Sequence, residues 1–252
     1  MSALAMVNTL LSDLGRRLNT VATFERAYRM KAQPWQIPYL QDQGDILILK
    51  GRQIGASTAV GAKAIHMSHY RPGSLSVIIS KSQRHSTELT RRSRAALRNL
   101  ERIGLDQDSA TEIGLANGSR ILSLPGKPTG VRGYTAQMLV IDEAAYVEED
   151  TWTAARALVA TGGQVIVQST PNGAAGWFYD LWTNGGPRWT RYHIRSDEVA
   201  TISAEFLAEE LRSMGPYAFR AEYGAEFLEA GAGLFSGDVL RGLVEENAKT
   251  YF

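Results

Sequence analysis

The segment at residues 51–58 has the residue types and spacing of a loop that binds phosphate. It reads Gly-Arg-Gln-Ile-Gly-Ala-Ser-Thr and follows a short apolar run at 46–49, which predicts a buried strand. Phosphate groups bind where backbone N–H groups converge at a helix N-terminus, and glycine lets the backbone approach closely. A serine or threonine that opens the helix can hold Mg²⁺, which makes Ser57 the predicted metal ligand. The predicted nucleotide-binding residues of this segment are Lys50, Gly51, Arg52, Gln53, Ile54, Gly55, Ala56, Ser57 and Thr58.

The lysine that usually contacts the phosphates in such loops is missing. In the pattern G-x-x-x-x-G-K-[ST], Lys50 occupies the first glycine position and Ala56 occupies the lysine position. An ATP site needs a cation near the β- and γ-phosphates, and both Lys50 and Arg52 are near enough in sequence to supply one. We favour Arg52, because it lies within the loop and its guanidinium can make two charge-assisted hydrogen bonds. A glycine-rich turn without a ligand is the alternative for the loop taken alone.

An acidic pair follows a second apolar strand. The run 138–141, Met-Leu-Val-Ile, ends in Asp142-Glu143. An aspartate beside a phosphate loop can hold Mg²⁺, and a following glutamate can accept the proton of an attacking water. The two acids could instead cap the next helix. Because the loop and the acids occur in this order, each after an apolar strand, we predict an ATP-hydrolysing site with ATP and Mg²⁺ as its cofactors.

Two further segments are candidates for catalysis and coupling. Ser169 and Thr170 end the apolar run 164–168, where they could sense the γ-phosphate; a plain turn is the alternative. Arg132 lies between Gly130 and Gly133, which predicts an exposed arginine. Such a residue could act as an arginine finger, or it could form a surface salt bridge.

Residues 81–102 form a strongly basic helical segment, with seven basic residues against two acidic ones. Arg91, Arg94 and Arg98 recur at helical spacing on roughly one face. A solvated surface helix explains this pattern, and so does a contact with DNA phosphates or with a neighbouring subunit.

The elements that must position these residues alternate between strand and helix. Apolar runs predict strands at 46–49, 75–80, 138–141 and 164–168, and amphipathic patterns predict helices at 3–28, 57–69, 83–103 and 150–160. Asn117-Gly118 predicts a hairpin between 112–115 and 120–124. This alternation indicates an α/β fold with a largely parallel sheet, in which the ligand lies at the carboxyl ends of the strands.

The C-terminal part of the chain has a different pattern. We predict no strand after residue 186, and helices near 203–213 and 216–228. The predicted organisation is an ATPase core with its N-terminal helix at 1–185, a small helical subdomain at 186–230 and a linker or tail at 231–252.

Composition excludes several classes of protein. The 252 residues contain no cysteine, so disulfide frameworks, cysteine–zinc sites and a cysteine nucleophile are excluded. The formal net charge is only +1, so any surface that binds nucleic acid must be local. No apolar stretch approaches the ~20 residues of a membrane span. We expect a soluble protein that makes no contact with membranes.

The motifs together resemble the ATPase domain of the large terminase subunit of tailed bacteriophages, the motor that packages viral DNA. The resemblance covers about residues 33–235 and is carried by Lys-Gly-Arg-Gln-Ile-Gly-Ala-Ser-Thr (50–58), Val-Arg-Gly-Tyr-Thr (131–135), Leu-Val-Ile-Asp-Glu-Ala-Ala (139–145), Gln-Ser-Thr-Pro-Asn-Gly (168–173) and Glu-Tyr-Gly-Ala-Glu-Phe (222–227). It implies a P-loop NTPase fold of the ASCE type with a helical lid at about 196–229.

The resemblance also implies roles for residues and partners. Gln36 would recognise adenine, Arg132 would act in trans on a neighbouring subunit, and Ser169-Thr170 would couple hydrolysis to motion. The implied partners are double-stranded DNA, a homo-oligomeric ring on a capsid portal and the small terminase subunit. The implied location is the cytoplasm of the infected bacterial host and, transiently, the procapsid portal. Since the sequence stops shortly after residue 235, the nuclease domain of full-length large terminases is expected to be absent.

Two other functions fit part of the pattern. A helicase-like DNA-dependent ATPase shares the phosphate loop and the acidic pair. A catalytically weak scaffold that binds DNA or a capsid component would explain the missing lysine, but it would have no need of Glu143 as a general base.

Overall fold

A single sheet organises the chain in this computed structural model, which describes residue 15 and residues 19–100, 104–127 and 133–229. Within those residues the sheet has eight strands in the order β3-β4-β5-β2-β6-β7-β1-β8. The strands are β1 (Asp45–Lys50), β2 (Leu75–Ser80), β3 (Leu105–Asp108), β4 (Glu112–Leu115), β5 (Arg120–Pro125), β6 (Ala136–Asp142), β7 (Val159–Ser169) and β8 (Trp189–Ile194). The five pairings from β5 to β8 are parallel, and β4 is antiparallel to both of its neighbours. The predicted α/β fold with a largely parallel sheet is confirmed.

Helices cover both faces of this sheet. They are α1 (Thr20–Tyr28), α2 (Gln36–Gln41), α3 (Ala56–Tyr70), α4 (Gln83–Leu97), α5 (Glu149–Arg156), α6 (Trp177–Asn184) and α7 (Ala204–Glu222), with short 3-10 turns at Ala144–Tyr146 and Ser196–Glu198. None of the described helices combines the length and the apolar character that crossing a membrane requires.

The core is divided by the sheet into two apolar layers. Side chains alternate between the faces of a strand, so Ile46 and Ile48 of β1 belong to one layer and Leu47 and Leu49 to the other. Because both faces are covered, all six residues of β1 are buried. This explains the uninterrupted apolar run in the sequence.

The strand order places the phosphate loop and the acids on either side of one strand. β7 pairs with β1 through Ile46↔Ile166 and with β6 through Val140↔Ile166. An additional strand between the loop strand and the acid strand is the arrangement of the ASCE class that the resemblance implied. The carboxyl ends of β1, β7 and β6 therefore meet at one edge of the sheet.

Several predicted boundaries were wrong. The helix predicted over 3–28 is interrupted, because Asn19 is the N-cap of α1 and its side chain accepts a hydrogen bond from the N–H of Ala22 at 2.9 Å. Residues 3–14 and 16–18 of the predicted helix lie outside the described part of the chain. The helix predicted to reach residue 103 ends at Leu97. The helix predicted over 150–160 ends at Arg156, because β7 already begins at Val159.

The largest error of the sequence analysis concerns the C-terminal part. β8 (Trp189–Ile194) pairs in parallel with the whole length of β1, although no strand was predicted after residue 186. The predicted domain boundary at residue 185 therefore precedes a strand of the central sheet. The two predicted C-terminal helices correspond to the halves of α7, which is interrupted at Gly215 (φ 77°) and Pro216. The second half ends at Glu222 rather than at residue 228.

Candidate active site

A cleft of about 920 Å³ lies where the loop after β1 faces the end of β6. It is lined by residues 50–58, the whole predicted phosphate loop, and by Lys81, His85, Arg92, Glu143, Tyr146, Thr170 and Glu222. The structure therefore brings together three segments that are distant in sequence, as predicted from the polar residues at the strand ends.

The loop has the backbone of an anion-binding turn. Gln53 and Gly55 both have positive φ angles, 61° and 85°, and α3 begins at the next residue, Ala56. Gly55 is the N-cap and contributes no side-chain hydrogen bond, so the first N–H groups of α3 have no side-chain cap. Such N–H groups and the helix dipole favour a phosphate at this position.

Gly51 has no room for a side chain, because the end of β8 and the chain beyond it pack closely against it. Its N–H donates to the carbonyl of Ile194 at 2.8 Å, and a Cβ at this position would lie 2.6 Å from the carbonyl oxygen of Tyr223. Ser196 closes the contact, because its Oγ donates to the carbonyl of Arg52 at 2.8 Å. The first part of the phosphate loop is thus attached to both ends of the predicted lid region.

Asp142 is the buried acid of the site. Its Oδ2 accepts a hydrogen bond from Ser57 Oγ at 3.1 Å, and its Oδ1 accepts one from Gln168 Nε2 at 2.8 Å. The backbone N–H of Glu143 donates to the same Oδ1 at 3.1 Å. Both predicted metal ligands, Ser57 and Asp142, therefore lie side by side at the start of α3.

The surroundings of Asp142 fit a divalent cation. Burial raises the pKa of Asp142. The nearby charge of Lys50 and, to a smaller extent, the hydrogen bonds from Gln168 and Ser57 counteract this effect. A hydroxyl and a single carboxylate are oxygen donors of the kind that Mg²⁺ takes together with substrate phosphates. Within the described residues, no group of three or more His, Cys, Asp or Glu could form a metal site made of protein ligands alone.

Glu143 is held beside the loop by Lys50. The Nζ of Lys50 lies 3.2 Å from Oε1 of Glu143, and the side chain of Lys50 is only 8% exposed. Glu143 has φ 56°, a left-handed conformation that is costly for a residue with a side chain. It remains part of the lining of the cleft.

Arg52, which the sequence analysis favoured as the phosphate cation, is ion-paired with the end of α7. Its Nε lies 2.7 Å from Oε2 of Glu222 at the end of α7, and its backbone N–H donates to the carbonyl of the same residue at 2.8 Å. The hydrogen bond to Glu222 raises the pKa of Arg52 above its usual value. The side chain is 54% exposed at the edge of the cleft.

The two predicted coupling residues, Ser169 and Thr170, are both buried at the end of β7. Ser169 is fully buried, and its Oγ accepts a hydrogen bond from the N–H of Ala145 at 3.1 Å. Thr170 is also buried and lines the cleft. The end of β7 therefore contacts the chain two residues after Glu143.

Gln36 is buried against the phosphate loop and is not part of the cleft lining. Its Oε1 accepts from the N–H of Gln33 at 2.9 Å, and its Nε2 lies 3.5 Å from the carbonyl of Gly55. In this position it supports the loop, and its role in adenine recognition stays a prediction. Arg132, the predicted finger, lies outside the described residues.

The basic segment divides into two surfaces. Arg91 is exposed and paired with Glu88 through two hydrogen bonds of 2.8 and 2.9 Å, Arg94 donates to the carbonyl of Ser109, and Arg98 is exposed at the C-cap of α4. Arg92, with Lys81 and His85, instead lines the cleft.

Sequence reasoning gave no site role to these three residues, or to Tyr146 and Glu222. The spacing of His85 and Arg92 contained a signal, because residues seven positions apart share one face of a helix, here α4, whereas Lys81 precedes this helix. Lys81 also lies over the ring of Tyr146 at 4.4 Å from its centroid.

The additional strand, the phosphate loop and the two acids define a P-loop fold of the NTPase class. The family model for the large terminase subunit, T4likevirus-type, N-terminal part, matches residues 47–241. The chain therefore belongs to the terminase large-subunit family, as its motifs indicated.

Individual relatives are distant. The large terminase subunit of Thermus virus P23-45 is 26% identical over 230 residues, which cover 74% of this chain and 46% of that protein. The chain thus spans about half the length of this curated relative. The large terminase ATPase domain of Thermus phage P74-26 has a TM-score of 0.71 at 22% identity and covers 81% of this chain and 97% of that domain. The large terminase of a thermophilic bacteriophage, solved in complex with ATP-γ-S, has a TM-score of 0.62 at 14% identity and covers 82% of this chain and 52% of that one.

Proposed function

We propose that this chain is the ATP-hydrolysing motor domain of a DNA-packaging terminase. The observation that carries the proposal is the contact between Ser57 and Asp142 at the uncapped start of α3, with Glu143 facing the same cleft. A relative with this fold was solved with ATP-γ-S, which supports a nucleotide as the ligand.

The chain binds the phosphates mainly through its backbone. The N–H groups at the start of α3 supply the anion site, and the loop conformation is maintained by Gly51 and Gln36. The buried ammonium group of Lys50 supplies the cation that Ala56 cannot. Arg52, held by Glu222, connects the loop to the end of α7 and has a smaller role in nucleotide affinity.

Hydrolysis depends on Glu143. Without nucleotide, Glu143 is paired with Lys50, and the phosphates of bound ATP compete with Glu143 for this lysine. Glu143 then accepts the proton of the attacking water. Ser57 and Asp142 would hold Mg²⁺, which neutralises charge on the β- and γ-phosphates during transfer. Ser169 and Thr170 then connect the state of the cleft to the chain that follows Glu143, and Arg132 would act on the site of a neighbouring subunit.

The partners of the proposed motor are those of the family. They are double-stranded DNA, further copies of the chain in a ring on a capsid portal, and the small terminase subunit. The corresponding location is the cytoplasm of the infected host and the procapsid portal. The predicted lid, up to residue 230, and the tail beyond it remain part of this proposal, whereas the core extends through β8 to residue 194.

The helicase-like alternative is distinguished by one measurement. The purified chain is mixed with MgATP and either blunt or forked duplex DNA, and both phosphate release and strand separation are recorded. We expect duplex DNA to stimulate phosphate release while the forked strands stay paired. Strand separation coupled to hydrolysis would favour a helicase. Absence of nucleotide binding would favour the scaffold.

We expect the exposed surface of α4 that carries Arg91 and Arg98 to contact DNA phosphates. Arg91→Glu should weaken binding to duplex DNA and reduce the slope of log K against log salt by about 1, because one phosphate contact is lost. Arg98→Glu should have a similar, additive effect. Arg94 is not mutated in this experiment, because its side chain donates to the carbonyl of Ser109. The measurement is a titration of labelled duplex at several salt concentrations.

Arg212→Glu is the matched control for this prediction. Arg212 is equally exposed on α7 and forms the same i,i+3 ion pair, with Glu209. It should leave the salt slope unchanged. If Arg212→Glu and Arg91→Glu weaken binding equally, net charge rather than the α4 surface determines affinity. An unchanged slope in Arg91→Glu would assign α4 to a solvated face.

A further inference from the structure

Gln168 is a fully buried polar residue at the carboxyl end of β7. In the sheet it is directly paired with Asp142 of β6 on one side and with Ile48 of β1 on the other. Its Nε2 donates to Oδ1 of Asp142 at 2.8 Å. This orientation of the amide suits a carboxylate that holds a metal ion, because such a group can only accept hydrogen bonds.

The hydrogen bond helps to fix the plane of the Asp142 carboxylate relative to the nucleotide loop. Oδ1 is occupied by Gln168 and by the N–H of Glu143, whereas Oδ2 is directed to Ser57. Without the amide, rotation of the carboxylate would be restrained on the Oδ1 side only by the backbone of Glu143. Gln168 therefore selects the carboxylate orientation in which Oδ2 and the hydroxyl of Ser57 lie side by side.

The end of β7 contacts the acidic turn at two points. Gln168 binds Asp142 on one face of the sheet, and the next residue, Ser169, accepts the N–H of Ala145 on the other. Glu143, in its left-handed conformation, lies between these two points. The second amide atom, Oε1, is buried and has no hydrogen-bond partner among the described residues.

We propose that Gln168 is a positioning residue of the site, which orients Asp142 for metal binding and links the acidic turn to the coupling residues. The proposal rests on the proposed function, because it assumes a nucleotide–metal complex in the cleft. It assigns Gln168 no direct contact with the nucleotide. Loss of its amide should therefore reduce metal affinity within the complex and leave metal-free nucleotide binding intact.

The test uses Gln168→Leu, which keeps the approximate size of the side chain and removes the amide. Mn²⁺ is titrated into the complex with a non-hydrolysable ATP analogue and followed by electron paramagnetic resonance, and analogue binding is measured separately in the presence of a chelator. We expect Mn²⁺ affinity to fall about 10- to 100-fold, the usual effect of losing a residue that orients a metal ligand. Analogue affinity without metal should change little.

Gln164→Leu is the matched control. Gln164 lies four residues earlier on the same strand and is also buried, but its amide donates to the carbonyls of Asp42 and Gly44. It should lower the melting temperature without changing Mn²⁺ affinity. Gln168→Asn, which keeps an amide but withdraws it from Asp142, should weaken Mn²⁺ binding and serves if the leucine variant does not fold.

The outcomes separate this proposal from the proposed function. Wild-type Mn²⁺ affinity in Gln168→Asn or Gln168→Leu would overturn the positioning role, and so would an equal loss in Gln164→Leu. In each of these cases the wild-type chain still binds the analogue, and the proposed function stands. If the wild-type chain binds neither analogue nor Mn²⁺, the proposed function fails, and the role of Gln168 fails with it.

Discussion

Replacement of Glu143 by glutamine should reduce ATP hydrolysis by at least about 100-fold, the contribution of a positioned general base. The side chain keeps its size, and its backbone N–H can still donate to Asp142. Lys50 loses its ion-pair partner and becomes more available to phosphate, so ATP affinity should be equal or higher. Single-turnover hydrolysis and equilibrium binding of ATP measure the two effects separately.

Glu149→Gln is the control for this change. Glu149 is exposed in the first turn of α5, six residues after Glu143, and it is not part of the cleft lining. It removes the same charge, and it should leave both turnover and affinity unchanged. Turnover of Glu143→Gln within a few-fold of wild type would show that another group accepts the proton, and the assignment of Glu143 would be wrong.

The sequence alone could predict those site residues whose position follows from an adjacent strand or helix. Ser57, Asp142 and Glu143 each come directly after a strand or open a helix, and parallel strands bring their carboxyl ends to one edge. The sequence pattern therefore placed these residues in one site. It could not pair the cations, because the partners of Lys50 and Arg52 are 93 and 170 residues away.

The fold could be predicted where strands are buried on both faces. β1 and β2 are continuous apolar runs because helices cover both sides. β8 was not predicted from the sequence, because it lies at an edge of the sheet. Only its terminal residues, Trp189 and Ile194, are buried. Thr190, Arg191 and His193 give it the composition of a loop. Gln168 was read only as part of a motif, because a hydrogen bond across two strands leaves no periodic signal.

The positions of Lys50 and Arg52 in the structure lead to an expectation about which of them contacts the phosphates. Arg52 is half exposed and bound to Glu222, so using it would require breaking that ion pair and moving the side chain. Lys50 is buried beside Glu143 and already lines the cleft. A buried ammonium with one carboxylate partner gains a second anion when phosphate binds. We therefore expect Lys50 to contribute more, the reverse of the order that the sequence analysis favoured.

Lys50→Met and Arg52→Met test this order with the same replacement. Lys50→Met should weaken binding of an ATP analogue about 10- to 100-fold, because a charge-assisted hydrogen bond contributes about 1.5–3 kcal/mol. Arg52→Met breaks an exposed ion pair worth about 0–1 kcal/mol, so affinity should change by less than about fivefold. Equilibrium binding is the measurement, since hydrolysis would also reflect the release of Glu143 from Lys50. A larger loss in Arg52→Met would return the role to the arginine, and wild-type affinity in both variants would leave the backbone of the loop as the source of phosphate binding.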